Sequence, residues 1–476
     1  MKLLLINNPE EYSAREMISA HIPKIKIEIT DTIPTDEDYV ISEISKSDDY
    51  YTYTAKLFFK GQLFSSSCTQ QEYSKLFVKK SINDVFKKAL NTNLPWGLIT
   101  GIRPGKMARE LNEKNMSYTD IKKRFMSRYE CCPQKADLAI EVAQREQKLI
   151  NTILPNSVSL YVGIPFCPTR CLYCSFTSQS IKFSNTLTEP YMEALYKEIK
   201  YTAEIIKQNG LILDTVYIGG GTPTAISDNQ LNTLLNTINT QFDLSSLREY
   251  TLEAGRPDTI TEEKLRIISQ NGISRISINP QTMNQKTLDI IGRRHTPEQV
   301  IDSYNLASKL GFKHINMDLI AGLPEETECD FENTLNKIIP LNPQSITVHT
   351  MSIKRGSFLD EKYSMYTPVA SETVNNMLSM ASNEMKKIGK SPYYMYRQKN
   401  MLGNLENVGY CDKGHECLYN IFIMEEVQSI YAIGAGASTK IIDGDKIDRI
   451  FNVKEVSEYI KRIDEMLERK DVLKRN

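Results

Sequence analysis

The sequence has almost no net charge: 58 Lys and Arg stand against 59 Asp and Glu, a balance of −1. That excludes a general attraction to nucleic acid or to an anionic membrane surface, while local basic patches stay open to an anionic substrate. Long apolar runs are missing too. The opening Met1-Lys-Leu-Leu-Leu-Ile-Asn7 is too short for the core of a signal peptide. No stretch approaches the roughly 20 apolar residues of a membrane span. Neither an internal repeat nor a low-complexity tract is apparent, and tryptophan occurs once, at Trp96. The nine cysteines are odd in number and unevenly spread over 476 residues. They do not suit the disulfide framework of a secreted domain, so a reducing cytoplasm is the expected compartment. With 41% apolar and 25% charged residues the composition is globular, and the length predicts two or three folding units.

What stands out is three cysteines spaced C-x3-C-x2-C, Cys167, Cys171 and Cys174, directly after the apolar run 160–164. Iron–sulfur clusters are usually held by four thiolates, and three in a compact loop leave one iron open to a non-protein ligand. A structural zinc ion would want a fourth Cys or His nearby, and none follows before His295. A thiol oxidoreductase motif needs only Cys171 and Cys174, which leaves Cys167 without a purpose. The spacing favours the cluster, with zinc and redox chemistry as the alternatives. Cys68, Cys131-Cys132 and Cys329 read as ordinary thiols. Cys411 and Cys417 around His415 offer three ligand types on one short loop, a weak metal motif.

Along the chain, strand patterns fall at 3–6, 25–29, 39–44 and 51–59, the last alternating residue by residue. A helix is predicted at 71–90, where apolar residues recur at helical spacing. The turn-rich Leu94-Pro-Trp-Gly-Leu-Ile-Thr-Gly-Ile-Arg-Pro104 reads as a plug joining domains, and helical patterns follow at 117–129 and 133–152. The rhythm then changes. Strand-like runs at 159–163, 215–218, 250–252, 275–278, 315–319 and 345–348 alternate with helical segments at 187–207, 228–239, 262–270, 297–310 and 330–339. Such alternation predicts a parallel sheet with right-handed crossovers, either open or a partial barrel. Distinctive polar residues sit at the C-terminal end of nearly every strand, through to His349 after the sixth, which favours a barrel with its active site on that rim. After Ser352 the alternation breaks. A helix is expected at 371–388, a strand at 420–424, a Gly-rich turn at Ala432-Ile-Gly-Ala-Gly-Ala-Ser438 and a charged helix at 453–473. The expected division is an N-terminal α+β domain at 1–155, a barrel core at 156–352 and a C-terminal α/β appendage at 353–476 covering the barrel mouth.

The cysteine motif after a first strand, with Gly219-Gly-Gly-Thr-Pro-Thr224 after a second, resembles the radical S-adenosylmethionine superfamily. Tyr161-Val-Gly-Ile-Pro-Phe-Cys167, Glu253-Ala, Asp318-Leu-Ile-Ala-Gly-Leu-Pro324 and the late Gly-rich turn resemble, more narrowly, the oxygen-independent coproporphyrinogen III oxidase (dehydrogenase) family. The N-terminal region and the Pro-Trp-Gly…Gly-Ile-Arg-Pro segment are similar to its HemZ-type branch. The family-level likeness covers about 158–440. It implies an incomplete (β/α)6 TIM-like barrel in which Cys167, Cys171 and Cys174 ligate a [4Fe–4S] cluster and S-adenosylmethionine binds the open iron. Tyr161, Tyr173, Gly219, Gly220, Gly221, Thr222, Glu253, Gln281, Arg293 and Asp318 fall on the family's S-adenosylmethionine-contacting positions, and Glu253 would meet positive charge there.

The implied reaction is oxidative decarboxylation of porphyrinogen propionates to vinyl groups in heme biosynthesis. A flavodoxin or ferredoxin would be the electron donor. For such a tetracarboxylate, Arg170, Arg294, Lys354-Arg355 and the aromatic-basic Pro392-Tyr-Tyr-Met-Tyr-Arg-Gln-Lys399 offer cations and apolar surface. Two residues depart from the family pattern: Phe176 stands where a fourth cysteine is expected, and Gly163 where a histidine is. The first departure is shared with HemW-type relatives, which makes a heme-binding chaperone, or a radical enzyme acting on heme itself, the alternative. Neither nucleic acid nor a membrane is an expected partner.

Overall fold

The structure, a computed structural model, describes all residues except 35–36, 102, 176–178, 182–184, 355, 363–364, 368, 399–400, 445 and 475–476. Phe176, Arg355 and Lys399 therefore lie outside the described residues. The chain forms two compact units. The first comprises Met1–Ala143, Ala370–Asn375 and Tyr396–Glu406; the second comprises Gln144–Val369, Asn376–Met395 and Asn407–Asn476.

The first unit is a five-stranded sheet built from β1 (Lys2–Ile6), β2 (Glu28–Ile29), β3 (Tyr39–Ser47), β4 (Tyr50–Phe59) and β5 (Gln62–Gln70), in the order β2-β1-β3-β4-β5. The alternation read in β4 buries Tyr53, Ala55 and Leu57 in one core with Met17 and Ile18 of helix Glu11–His21 and Ile82, Val85 and Phe86 of helix Lys75–Leu90. Strand β5 has no counterpart in the sequence reading, and neither has the helix Glu11–His21. The turn Lys60-Gly61, with φ of 50° and 78°, folds the chain back as a two-residue hairpin. Ser and Thr fill much of β5, so its solvated face hides the strand pattern. Trp96 is fully buried within this unit. Its indole donates to Glu406 Oε2 at 2.7 Å, Lys135 pairs with the other oxygen of Glu406, and the Arg397 guanidinium lies 5.4 Å from the ring centre.

The second unit is organised on one eleven-stranded sheet. Its strands are β6 (Ser157–Ile164), β9 (Ile212–Gly220), β10 (Glu249–Gly255), β11 (Arg275–Ile278), β12 (His314–Ala321), β13 (Ser345–Thr350), β14 (Ser391–Tyr396), β15 (Asn407–Cys411), β16 (Ile430–Ile433), β17 (Ser438–Asp443) and β18 (Lys446–Phe451). The short β7 (Phe166–Cys167) and β8 (Gln179–Ser180) pair separately. Strands β6-β9-β10-β11-β12-β13 lie side by side in that order, all parallel, joined by helical crossovers as the alternation predicted. This is the α/β fold of an incomplete (β/α)6 barrel. The chain after Ser352 adds a strand on each flank: β16 runs parallel beside β6, and β15 antiparallel beside β13.

Within this sheet the sequence alternates strictly between two environments. Leu160, Val162, Val216, Ile218, Leu252, Ile276, Met317, Leu319, Ile346 and Val348 form one buried apolar face. The residues between them form the opposite, polar face: Tyr161, Tyr217, Thr251, Glu253, Ser277, Asn316, Asp318, Thr347 and His349. Hydrogen bonds across strands confirm the shared face, as in Tyr217 to Glu253 and Thr347 to Asn316 to Asp318.

Two expectations past the barrel need correction. The segment 420–424 is not a strand; it lies inside the helix Leu418–Glu425. A short apolar run does not tell strand from helix, and here the Glu249 carboxylate decides by accepting the N–H groups of Leu418 and Tyr419 at 2.8 and 3.3 Å. The predicted helix at 453–473 is broken at Arg462 into Val456–Lys461 and Ile463–Arg469. Beyond the break, buried Lys470 pairs with buried Glu198 at 2.8 Å.

Candidate cluster and cofactor site

The cysteine loop leaves β6 and is pinned to its neighbours by backbone. Leu172 N–H donates to Ile291 O at 3.0 Å, Leu359 N–H donates to Leu172 O at 2.8 Å, and the Thr169 hydroxyl donates to Gly292 O at 3.0 Å. A turn joins Cys174 N–H to Cys171 O at 3.1 Å. Cys171 is nearly buried, and Cys167 and Cys174 are half-buried. Donors are aimed at the sulfurs: Thr222 Oγ1 lies 3.4 Å from Cys167 Sγ, and Arg256 Nη1 lies 4.0 Å from Cys171 Sγ. Arg256 is itself fixed by Asp258, at 2.9 and 2.8 Å, and by Thr169. Arg293 also sits beside Cys171, and Lys354 is close enough to Cys174 to feel its charge. Cations beside Cys171 and Cys174, and a hydroxyl beside Cys167, suit a loop that holds an anionic cluster.

Among the described residues no three His, Cys, Asp or Glu side chains converge on the position of one metal ion. A cubane spreads its ligands over separate corners, so thiols that hold one do not meet at a point. The weak motif near the C-terminus is dispersed. Cys417 donates to Glu249, Cys411 meets Arg145, and His415 Nδ1 lies 3.0 Å from His314 Nδ1.

The three glycines serve the protein's own packing. A Cβ on Gly219 would lie 2.8 Å from Glu253 Oε2, and one on Gly221 would lie 2.6 Å from Phe166 O. Gly220 adopts φ of 106°, which side-chain-bearing residues rarely do. With no side chains in the way, Gly221 N–H reaches Ile164 O at 2.8 Å and Thr222 N–H reaches Phe166 O at 2.7 Å, tying the ends of β6 and β9 together.

Glu253 stands on the polar face with Tyr161 and Tyr217, all three keeping part of their surface open to the barrel interior. Burial pushes the Glu253 carboxyl up to about 7; the Tyr217 hydrogen bond at 2.5 Å opposes this, and the nearby Asp318 charge adds to it. Asp318 titrates the other way. Burial would raise it, but His349, Asn316 and Thr347 together hold it below the usual carboxylate range. Asn316 Nδ2 donates at 2.8 Å and His349 Nε2 lies 3.7 Å away. Two carboxyls on one sheet face are thereby pushed apart, the arrangement by which a site gives similar groups different tasks.

Gln281 has φ of 67° and bridges to β12: its N–H donates to Asp318 O and its carbonyl accepts from Ile320 N–H, both at 2.9 Å. Among the described residues, its Oε1 and the neighbouring Asn279 Oδ1 are buried without a hydrogen-bond partner, which is the signature of acceptors awaiting a donor. Arg293 donates to Asn279 O and, at 3.4 Å, to the Tyr173 hydroxyl. Burial alone would lower its basicity, but Tyr173 and Cys171 raise it, so the guanidinium keeps its charge.

The expected residues thus divide by position. Cys167, Cys171, Tyr173 and Cys174 belong to the loop, with Thr222 and Arg293 against it; Tyr161, Gly219, Glu253 and Asp318 share the adjoining polar face, Gly220 and Gly221 lie where β6 and β9 are tied together, and Gln281 bridges to β12. Sequence reasoning missed Tyr217, Asn316, Thr347, Arg256 and Tyr419, and saw His349 only as a rim residue. For the strand residues a signal existed: each occupies the parity of the odd polar residue in an apolar strand. Tyr419 had none, because its helix was read as a strand. The aromatic-basic stretch is withdrawn as substrate surface. Tyr393 and Tyr394 are buried core, and Arg397 is buried with its donors on Ile99, Gly101 and Asn404 carbonyls.

Residues 161–338 match the radical SAM superfamily. The oxygen-independent coproporphyrinogen-III oxidase-like protein HemZ of Bacillus subtilis is 39% identical over 449 residues, covering 91% of this chain and 89% of that protein. The heme chaperone HemW of the same organism is 32% identical over 311 residues, 64% of this chain and 76% of the relative. Among solved structures, coproporphyrinogen III oxidase (HemN) from Escherichia coli superposes with a TM-score of 0.54 at 21% identity, over 68% of this chain and 73% of that one, a likeness of fold. With a cysteine loop flanked by cations and a polar barrel face beside it, the chain belongs to the HemN/HemZ family of radical SAM proteins, whose cofactors are a [4Fe–4S] cluster and S-adenosylmethionine.

Proposed function

We propose that the protein is a radical enzyme that converts propionate side chains of a coproporphyrinogen-like tetrapyrrole to vinyl groups. The observation that carries this reading is the pair Glu253 and Asp318, two carboxyls held in opposite protonation environments beside the cysteine loop. Cys167, Cys171 and Cys174 would hold the cluster. Tyr161, Tyr173, Gly219, Gly220, Gly221, Thr222, Glu253, Gln281, Arg293 and Asp318 would hold S-adenosylmethionine, with the orphaned Gln281 Oε1 and Asn279 Oδ1 taking its donors. When bound, the cofactor pair would supply a carbon-centred radical able to take a hydrogen atom from the propionate; carbon dioxide would leave as the vinyl group forms, the one further electron passing to an external one-electron acceptor. The chain's residues orient the cofactor and exclude water. Arg170, which lies over the Phe358 ring at 4.6 Å and donates to Gly356 O, joins exposed Arg294 and half-buried Lys354 as cations for substrate carboxylates. A flavodoxin or ferredoxin is the proposed electron donor and the cytoplasm the proposed compartment. No helix among the described residues is long and apolar enough to cross a membrane.

The similarity to HemW favours a second reading, a heme-binding chaperone with little turnover. One assay separates the two. The cluster is reconstituted without oxygen, reductant and S-adenosylmethionine are added, and coproporphyrinogen III or heme is offered separately. Carbon dioxide with vinyl products is the expected result. Stable heme binding without product would replace this reading with the second.

A further inference from the structure

Beneath Glu253 lies an aromatic group of three, two of which, Tyr217 and Tyr419, the cofactor reading leaves without a task. Tyr217 of β9 and Tyr419 of helix Leu418–Glu425 stack with ring centres 4.5 Å apart and planes 21° apart. Tyr161 of β6 lies nearly parallel to both, at 6.4 and 6.3 Å. Packed with Tyr419 and Tyr161 in one triangular cluster, the Tyr217 ring has little freedom, and its hydroxyl is delivered to Glu253 Oε1 at 2.5 Å. Gly219 completes the arrangement, since any Cβ there would strike both Glu253 Oε2 and the Tyr217 ring, at 2.8 and 2.9 Å. Three elements distant in the chain therefore fix the one hydroxyl that reaches Glu253 Oε1.

We propose that Tyr217 is a positioning residue: packed against Tyr419 and Tyr161, it orients the Glu253 carboxylate and raises its anionic fraction, so that the site accepts a cationic ligand at neutral pH. The inference rests on the reading that Glu253 faces the positive charge of S-adenosylmethionine.

The groups facing Glu253 act in both directions. Burial and the Asp318 charge favour the protonated acid; the Tyr217 hydroxyl, the Gly220 N–H and His349 favour the anion. The Tyr161 and Tyr419 phenols are neutral, burial having pushed both up. A hydroxyl that donates to a carboxylate stabilises the charged form. Removing it tips Glu253 toward the neutral acid, which has no charge to offer an ammonium or a sulfonium. The loss is confined to the pH range where the acid forms, and a sufficiently high pH restores the anion without the tyrosine.

The test is the affinity of the cluster-reconstituted protein for S-adenosylmethionine, measured by equilibrium dialysis from pH 6 to 9 for the wild type, Tyr217→Phe and Glu253→Gln. Tyr217→Phe keeps the stacked ring, and an unchanged melting curve confirms the fold. The ligand's own α-amine titrates near pH 7.7–8.0, so the quantity read is the ratio of variant to wild-type dissociation constants at each pH, in which that titration cancels. The expected ratio is about fivefold at pH 7 for about one unit of displacement in a carboxyl that titrates at about 7; it rises toward about tenfold at pH 6 and falls toward one at pH 9. A ratio of one throughout, or one elevated equally at every pH, overturns the role of Tyr217. Wild-type affinity in Glu253→Gln across the range would overturn the underlying reading of Glu253, and the inference with it. Binding weaker than wild type in Glu253→Gln at pH 9, where the wild-type carboxyl is ionised, leaves that reading standing whatever Tyr217→Phe shows.

Discussion

Cys171 sits within reach of Arg256 and beside Arg293, so two guanidinium groups support its sulfur. Cys171→Ala is expected to abolish iron binding and the visible absorbance of the reconstituted cluster; an intact cluster in that variant would remove the ligand assignment. Glu253 predicts a second effect, on stability without cofactor. A carboxyl raised to about 7 in the folded state contributes stability that is full below its unfolded value near 4.3 and is lost as pH rises toward 7. Glu253→Gln escapes that loss. In the ligand-free protein it should exceed the wild type by about 2 kcal/mol at pH 8, allowing for partial exposure, with the difference shrinking toward pH 4. Denaturant melts at the two pH values measure it. The cysteines and most of the lining residues were legible because their chemistry is local. The charge state of Glu253 was not, since it depends on Asp318, Tyr217 and His349, which the chain brings from three other strands.

Among elements, helix Leu418–Glu425 depends most plainly on something outside itself. Glu249, at the start of β10, accepts two of its N-terminal N–H groups and a bond from Cys417, and pairs with buried Arg275 at 3.6 Å. Glu249→Ala would leave that guanidinium uncompensated and the helix uncapped, a loss of about 3–5 kcal/mol. Glu249→Gln retains an acceptor oxygen and should lose less. Thermal or denaturant melts of the two variants rank them, and equal stabilities would show that neither the cap nor the pair matters. The six core strands were readable because an apolar residue at every second position survives in each. Strand β5 and the helix at 418–425 were not. One has a solvated face without contrast, and the other is a short apolar run that adopts its form from a partner about 170 residues away in sequence.

Across the whole molecule, both units combine distant stretches of chain. Glu406 returns to the first unit to take Trp96 and Lys135, and β15 and β16 return to flank β13 and β6. A core fragment of residues 156–352 would lack both flanking strands and expose two parallel edges, the condition that promotes edge-to-edge association. Expressed alone, it is expected to partition to the insoluble fraction. A soluble fragment with cooperative melting would show the flanking strands to be dispensable.

The sequence by itself determined the alternation of strand and helix, the thiol loop and the polar ends of the strands, because these follow from spacing, side-chain size and the period of two. Tertiary structure alone decided which polar residues meet. It set Tyr217 on Glu253, His349 on Asp318 and Arg256 on Cys171, since sheet register and crossovers, not neighbouring residues in the chain, bring those atoms within hydrogen-bond reach.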